Sequence, residues 1–166
     1  HLNSNMDWEY TIPLINDARE KRGAKVWGEV YPYGGASTFA SADVLSEPGM
    51  AQMNLKYSDV ANLDGTRWDK AMHDDIRKND PGRTVLVYIN PSEDEAKWMA
   101  MPGVVVVSDG MAIIDEKGEY YPWDSPYEGK TCHPRSAGTR AKVLRMVRED
   151  KNQTLMEAIS KMSYLH

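Results

Sequence analysis

Four consecutive valines, Val104 to Val107, are the strongest hydrophobic signal in the chain. The run follows Pro102 and Gly103 and is too short for an ordinary helix, so it predicts a central strand of a parallel sheet, buried on both faces. Two further apolar runs predict strands. One covers Ala24 to Tyr31 and is closed by Pro32-Tyr33-Gly34-Gly35; the other covers Thr84 to Ile89. Helical spacing surrounds them. Ile12, Ile15 and Ala18 share one face of a helix over 7–22, with Arg19, Lys21 and Arg22 in its last turn and Gly23 as its stop. Pro13 fits if the regular helix begins near Thr11. Ser92 and Glu95 have the spacing of a capping box for a helix through about Met99, and Thr154 and Glu157 have the same spacing further on. A helix over 138–150 turns Val143, Leu144 and Val147 inward, and Leu155, Ala158, Ile159 and Met162 recur at helical intervals after it.

Residues 39–83 keep neither period for long, apart from a short helical stretch from Arg67 to Lys78. So long a segment between strands reads as a lid or binding loop rather than a connector. The region from Met111 to Arg135 is also irregular. With helices and insertions separating the strands, the fold expected is α/β, with three parallel strands whose C-terminal ends lie side by side.

A length of 166 residues fits one ordinary domain. A net charge of -5 argues against a nucleic-acid or anionic-membrane partner, and no apolar run approaches the roughly 20 residues a membrane span requires. Cys132 is the single cysteine, which excludes an internal disulfide and suits a reduced cytoplasm. The chain opens on His1-Leu2-Asn3 without Met, a basic segment or an apolar leader, so residue 1 is expected not to be the natural start.

The valine strand stops on Ser108-Asp109-Gly110. Asp-Gly after a strand is common turn chemistry, but a carboxylate at the C-terminal end of a buried parallel strand also sits where α/β folds place catalytic groups. Tyr31 ends another strand, and Ser37 and His133-Pro134-Arg135 follow in loops. An acid, a phenol, a hydroxyl and a guanidinium on one rim would suit hydrolysis of a carboxylate-bearing substrate, because arginine grips a planar carboxylate with two parallel hydrogen bonds. Each has a plainer reading. One of Tyr31 and Tyr33 is expected to pack, His133 to shape its loop, and His73 to lie on the surface. No close-spaced metal motif of the H-x-H, H-E-x-x-H or C-x-x-C kind is present.

Five motifs occur in order: His1-Leu2, Val30-Tyr31-Pro32-Tyr33-Gly34-Gly35-Ala36-Ser37-Thr38, Val106-Val107-Ser108-Asp109-Gly110, His133-Pro134-Arg135-Ser136-Ala137-Gly138-Thr139, and Ala158-Ile159-Ser160-Lys161-Met162-Ser163. Together they resemble the C-terminal half of the N-acyl-D-amino-acid deacylases, D-aminoacylase-like members of the amidohydrolase superfamily. The resemblance runs nearly the whole length apart from 39–83 and 111–131. It implies a partial (β/α)8 TIM-type barrel, from about the end of strand 6 to helix 8, with 39–100 as a lid-like insertion between the last two barrel strands. It also implies one or two zinc ions, with His1 and Asp109 as ligands. Asp109 would be general base and acid for attack of a metal-activated water on the amide of an N-acyl-D-amino acid. Tyr31, Ser37 and Arg135 would hold the substrate's carboxylate or the developing oxyanion.

The chain departs from that pattern in three ways. Asn3 stands where the family usually has Lys, and the interval from Asp109 to Arg135 is longer, with Tyr120, Tyr121, Pro122 and Trp123 inside it. The superfamily's earlier ligands, the first-strand His-x-His among them, are missing from this sequence. The expected partner is therefore the missing N-terminal half of the barrel or a second copy of the chain, because a torn sheet exposes an apolar edge. The rival reading is a non-catalytic α/β ligand-binding or assembly domain.

Overall fold

The computed structural model describes residues 8–89, 92–113, 119–128, 130 and 132–165. Its elements run α1 (Trp8–Arg22), β1 (Gly28–Val30), β2 (Gly35–Phe39), α2 (Glu47–Gln52), β3 (Val60–Ala61), α3 (Lys70–Asn79), β4 (Thr84–Tyr88), α4 (Glu95–Ala100), β5 (Val104–Val106), α5 (Arg135–Glu149) and α6 (Leu155–Ile159). The valine run does become a strand buried on both faces: all three residues of β5 are buried. It pairs in parallel with β1, Val30 beside Val106, and the amide of Val107 extends the ladder to the Val30 carbonyl at 3.0 Å. Around this pair Trp8, Ile12, Trp98, Met99, Val143, Met146 and Ala158 close a first core. Gly103 enters β5 with φ +77°, and a Cβ there would lie 2.0 Å from Oδ1 of Asn16, so α1 packs against a turn that only glycine allows.

The Thr84 to Ile89 run behaves differently from its expected role. β4 is the centre of a separate antiparallel sheet of order β2-β4-β3, so the expected three parallel strands are two. Its burial alternates, with Val85 and Val87 inward and Leu86 and Tyr88 outward. That is the pattern of a sheet with one packed face. The apolar character of the outward residues hid the alternation, and part of it is explained by Arg67, whose guanidinium lies 3.7 Å from the Tyr88 ring centre. The inward face forms a second core with Leu45, Met50, Val60, Trp68 and Ile76. No closed barrel is present among the described residues, and among them no helix is long and apolar enough to cross a membrane.

Several local expectations shift. α1 begins at Trp8 with Pro13 inside it; the helical bond the proline forgoes belongs to the carbonyl of Glu9, in an exposed first turn. α4 starts at Glu95, behind a 3-10 turn over Ser92–Asp94, so Glu95 is not the third residue of a capping box and its side chain turns inward instead. The second box holds: Thr154 Oγ1 accepts from the Glu157 amide at 3.2 Å, and the Glu157 carboxylate accepts from the Thr154 amide at 2.8 Å. Of the stripe after it, Ala158 is buried, while Leu155 and Ile159 are exposed, and the chain passes into a π-helical turn over Ser160–Tyr164.

That turn buries Lys161, whose ammonium nitrogen donates to the carbonyls of Met99 and Met101, both at 2.9 Å, tying the end of the chain to the lead-in of β5. Burial lowers the Lys161 pKa from 10.5 to about 8, with the Glu157 carboxylate pulling the other way. Between those values the unfolded chain holds a proton that the folded chain has shed, so Lys161 favours folding more as pH rises through the window. The stability difference between the wild-type chain and Lys161→Met, measured by urea unfolding, should therefore grow by on the order of 2 kcal/mol from pH 8 to 10. A difference that stays flat across that range would show that Lys161 does not titrate there.

Candidate active site

Because β1 and β5 are parallel, the residues that follow them emerge at the same end. Tyr31 follows β1 directly and is 1% exposed, its carbonyl accepting from the indole nitrogen of Trp98 at 3.1 Å. Asp109 follows the valines and takes a left-handed backbone, φ +48°. Aspartate tolerates that region better than most residues, but the conformation still costs energy and marks a point the surroundings hold in place. Ser37 comes from the other sheet, on β2 opposite Leu86. Arg135 is the first residue of α5, three residues earlier than the helix was expected to begin.

The structure brings these four together around Arg135, which is 3% exposed. Its Nε donates to the backbone carbonyl of Asp109 at 2.8 Å, and Nη2 lies 3.0 Å from Oδ2 of the Asp109 carboxylate and 3.3 Å from Oγ of Ser37. The guanidinium carbon sits 5.0 Å from the centre of the Tyr31 ring. Nη1 is buried and has no hydrogen-bond acceptor among the described residues. A cation at a helix N-terminus faces the positive end of the helix dipole, so this site carries two sources of positive potential and favours a further anion.

His133 is spoken for. Its Nδ1 accepts from the Arg135 amide at 3.1 Å, so Nε2 carries the hydrogen and donates to the Gly35 carbonyl at 3.1 Å. Burial, then the nearby Arg135 charge, lowers its pKa below 6.5, which keeps it neutral. It therefore joins α5 to β2, in keeping with its expected loop-shaping role, and offers no lone pair to a metal.

One group around the site escaped the sequence reading. The buried Glu95 carboxylate accepts from the Gly34 amide at 2.9 Å through one oxygen and from the Lys142 ammonium through the other. Lys142 also sits 4.3 Å from the Tyr33 ring centre. Burial, and after it the Glu95 charge, raises the Tyr33 pKa above 10. The Glu95 network holds the turn that leads from Tyr31 to Ser37. Nothing in the run Glu93-Asp94-Glu95 singles out the acid that points inward.

Beside Ser37 and His133 opens a cavity of about 510 Å3 whose apolar wall includes Phe39, Leu63, Leu86, Met111 and Ile113. A second, of about 410 Å3, lies over Tyr33, Gly35, Tyr88 and Glu95. The two share Leu86, His133 and Pro134. His1 and Asn3 lie outside the described residues, so only Asp109 of the expected metal ligands has a described position. Among the described residues no cluster of three metal-ligating side chains includes Asp109; one such cluster, Glu47, His73 and Asp74, lies between β2 and β4.

No protein-family model and no curated protein sequence matches the chain. Solved structures do. N-acyl-D-glutamate deacylase from Bordetella bronchiseptica, complexed with zinc and a phosphonate inhibitor that mimics the reaction's tetrahedral intermediate, is similar with a TM-score of 0.64 at 22% identity, over 95% of this chain and 31% of that one. A D-aminoacylase described as defining a novel subset of amidohydrolases is similar at TM-score 0.62 and 21% identity, as is one studied for its binuclear metal centre. The chain thus spans 31% of the length of these enzymes. Over that span it has their fold.

Proposed function

We propose that this chain is part of a metal-dependent amidohydrolase that cleaves the amide bond of N-acyl-D-amino acids or related amides. The observation that carries the reading is the buried Arg135 guanidinium, held by Asp109, Ser37 and the Tyr31 ring, with Nη1 left without an acceptor among the described residues, while its partner Ser37 lines an apolar cavity. A substrate carboxylate supplies that acceptor, and the apolar cavity suits an acyl group or an apolar side chain. In this reading β1 and β5 are neighbouring strands of a (β/α)8 barrel, and the β2-β4-β3 sheet with its helices is the lid inserted between them.

The donor set fits a metal in part. A zinc site takes four ligands of nitrogen, oxygen or sulfur; Asp109 supplies one carboxylate and His133 none, so His1 and residues from the rest of the enzyme would complete it. When bound, the metal polarises the amide carbonyl and brings the pKa of water toward neutrality. The chain's own residues do the rest. Arg135 and Ser37 hold the substrate carboxylate, with Tyr31 as the stacking face behind the guanidinium. Asp109 accepts the proton of the attacking water, the water oxygen bonds to the carbonyl carbon, and the C–N bond breaks as Asp109 returns the proton to the leaving amine.

In the complete enzyme, Asp109→Asn should lower kcat by about 10^2 to 10^4-fold while circular dichroism stays near wild type and the unfolding midpoint falls, because the variant removes the charge paired with the buried Arg135. Turnover within tenfold of wild type would remove Asp109 as the base and move the non-catalytic binding reading ahead. Arg135→Lys keeps the charge but loses the fork, and should raise KM for a carboxylate substrate roughly 10 to 100-fold. The same variant should hardly change KM for the matching carboxamide. Equal effects on both substrates would show that Arg135 does not read the carboxylate.

A further inference from the structure

His73 was expected on the surface; it is instead 3% exposed, near the rings of Tyr57 and Trp68 in the second core. Its Nε2 lies 2.8 Å from the Leu45 carbonyl oxygen. A carbonyl can only accept, so Nε2 carries a hydrogen, and the ring presents Nδ1 toward Oδ1 of Asp74 at 3.0 Å. The imidazole nitrogen and the Asp74 carboxylate therefore face one another at the spacing of two ligand atoms on one ion. A ring N–H anchored on a backbone carbonyl is also the arrangement that orients histidines as metal ligands.

Glu47, from α2, approaches the same point. Ligand atoms of Glu47, His73 and Asp74 all lie within 4.8 Å of one another. In a tetrahedral site with bonds of about 2.1 Å they would stand about 3.4 Å apart, a contraction that the two exposed carboxylates can make by side-chain rotation. The cluster already collects positive charge: the Lys70 ammonium lies 2.9 Å from Glu47 and 3.2 Å from Asp74, and the Tyr57 hydroxyl donates to Glu47 at 2.7 Å.

We propose that Glu47, His73 and Asp74 form a transition-metal site between β2 and β4, separate from the Asp109 centre, in which a divalent ion takes the place of the Lys70 ammonium. One imidazole and two carboxylates suit Zn2+, Co2+ or Mn2+. The ion would clip α2 to α3 and so stiffen the segment between β2 and β4.

The site is tested by titrating Co2+ into the metal-free chain, following visible absorption and the thermal midpoint. One ion should bind and raise the midpoint. Glu47→Gln and Asp74→Asn change exposed groups and should leave the fold intact, yet each should weaken binding at least about tenfold. Lys70→Met, which removes the resident cation, should tighten it. Asp109→Asn should leave it unchanged, which separates this site from the proposed catalytic one. Binding that ignores Glu47→Gln, binding that is lost in Asp109→Asn, or weaker binding in Lys70→Met would each overturn the proposal.

Discussion

A cation buried at the positive end of a helix is the constraint around which this molecule is arranged. Arg135 begins α5, at the positive end of that helix's dipole, and it is almost wholly removed from water. A buried charge costs several kcal/mol unless it is paired and hydrogen-bonded, so the surrounding chain must bring acceptors to it. Asp109 brings two, its carboxylate and its own carbonyl, and reaches them through a left-handed backbone. Ser37 brings a third from a different sheet. One guanidinium thereby links the parallel pair, the antiparallel sheet and the C-terminal helix.

The link would be loose if each partner were not held from behind. α4 does much of that. Trp98 fixes the backbone of Tyr31, and Glu95, three residues earlier and so on the same helical face, fixes the amide of Gly34. Glu95 in turn accepts from Lys142 on α5, the helix that Arg135 begins. The turn between β1 and β2 is therefore pinned from two helices. His133 adds a third tie, from the Gly35 carbonyl to the Arg135 amide, and its neutrality keeps a second positive charge away from the guanidinium.

Much of this was legible in the sequence, for identifiable reasons. The valine run has no alternative to a strand buried on both faces, and a parallel neighbour then places Tyr31 and Asp109 at one end. Ser37 and Arg135 were expected beside them from loops after the strands, whereas β2 and α5 supply them. β2 was not legible, because Gly35-Ala36-Ser37-Thr38 carries little strand signal and forms a strand only against β4. β4 read as parallel because its outward residues are apolar, Leu86 lining a cavity and Tyr88 lying against an arginine. His73 read as a surface group and Glu95 as the partner of Ser92 in a capping box because their actual partners, the Leu45 carbonyl and the Gly34 amide, belong to backbone far away in sequence. Long-range bonds to main chain leave no trace in residue type.

The two cores divide the labour. Asp109 and Tyr31 stand on the parallel pair, where β5 is buried on both faces and the chain end is stapled down by Lys161. Ser37 stands on the antiparallel sheet, which packs on its own core through one face only. Any motion of that sheet relative to the parallel pair must stretch the 3.3 Å contact between Ser37 and Arg135 and the 3.1 Å bond between His133 and Gly35. Arg135 keeps its bonds to Asp109 in such a motion, since both belong to the first unit. An anion bridging Nη1 and the Ser37 hydroxyl would oppose the motion directly, so under the proposed function carboxylate binding would be coupled to the position of the antiparallel sheet.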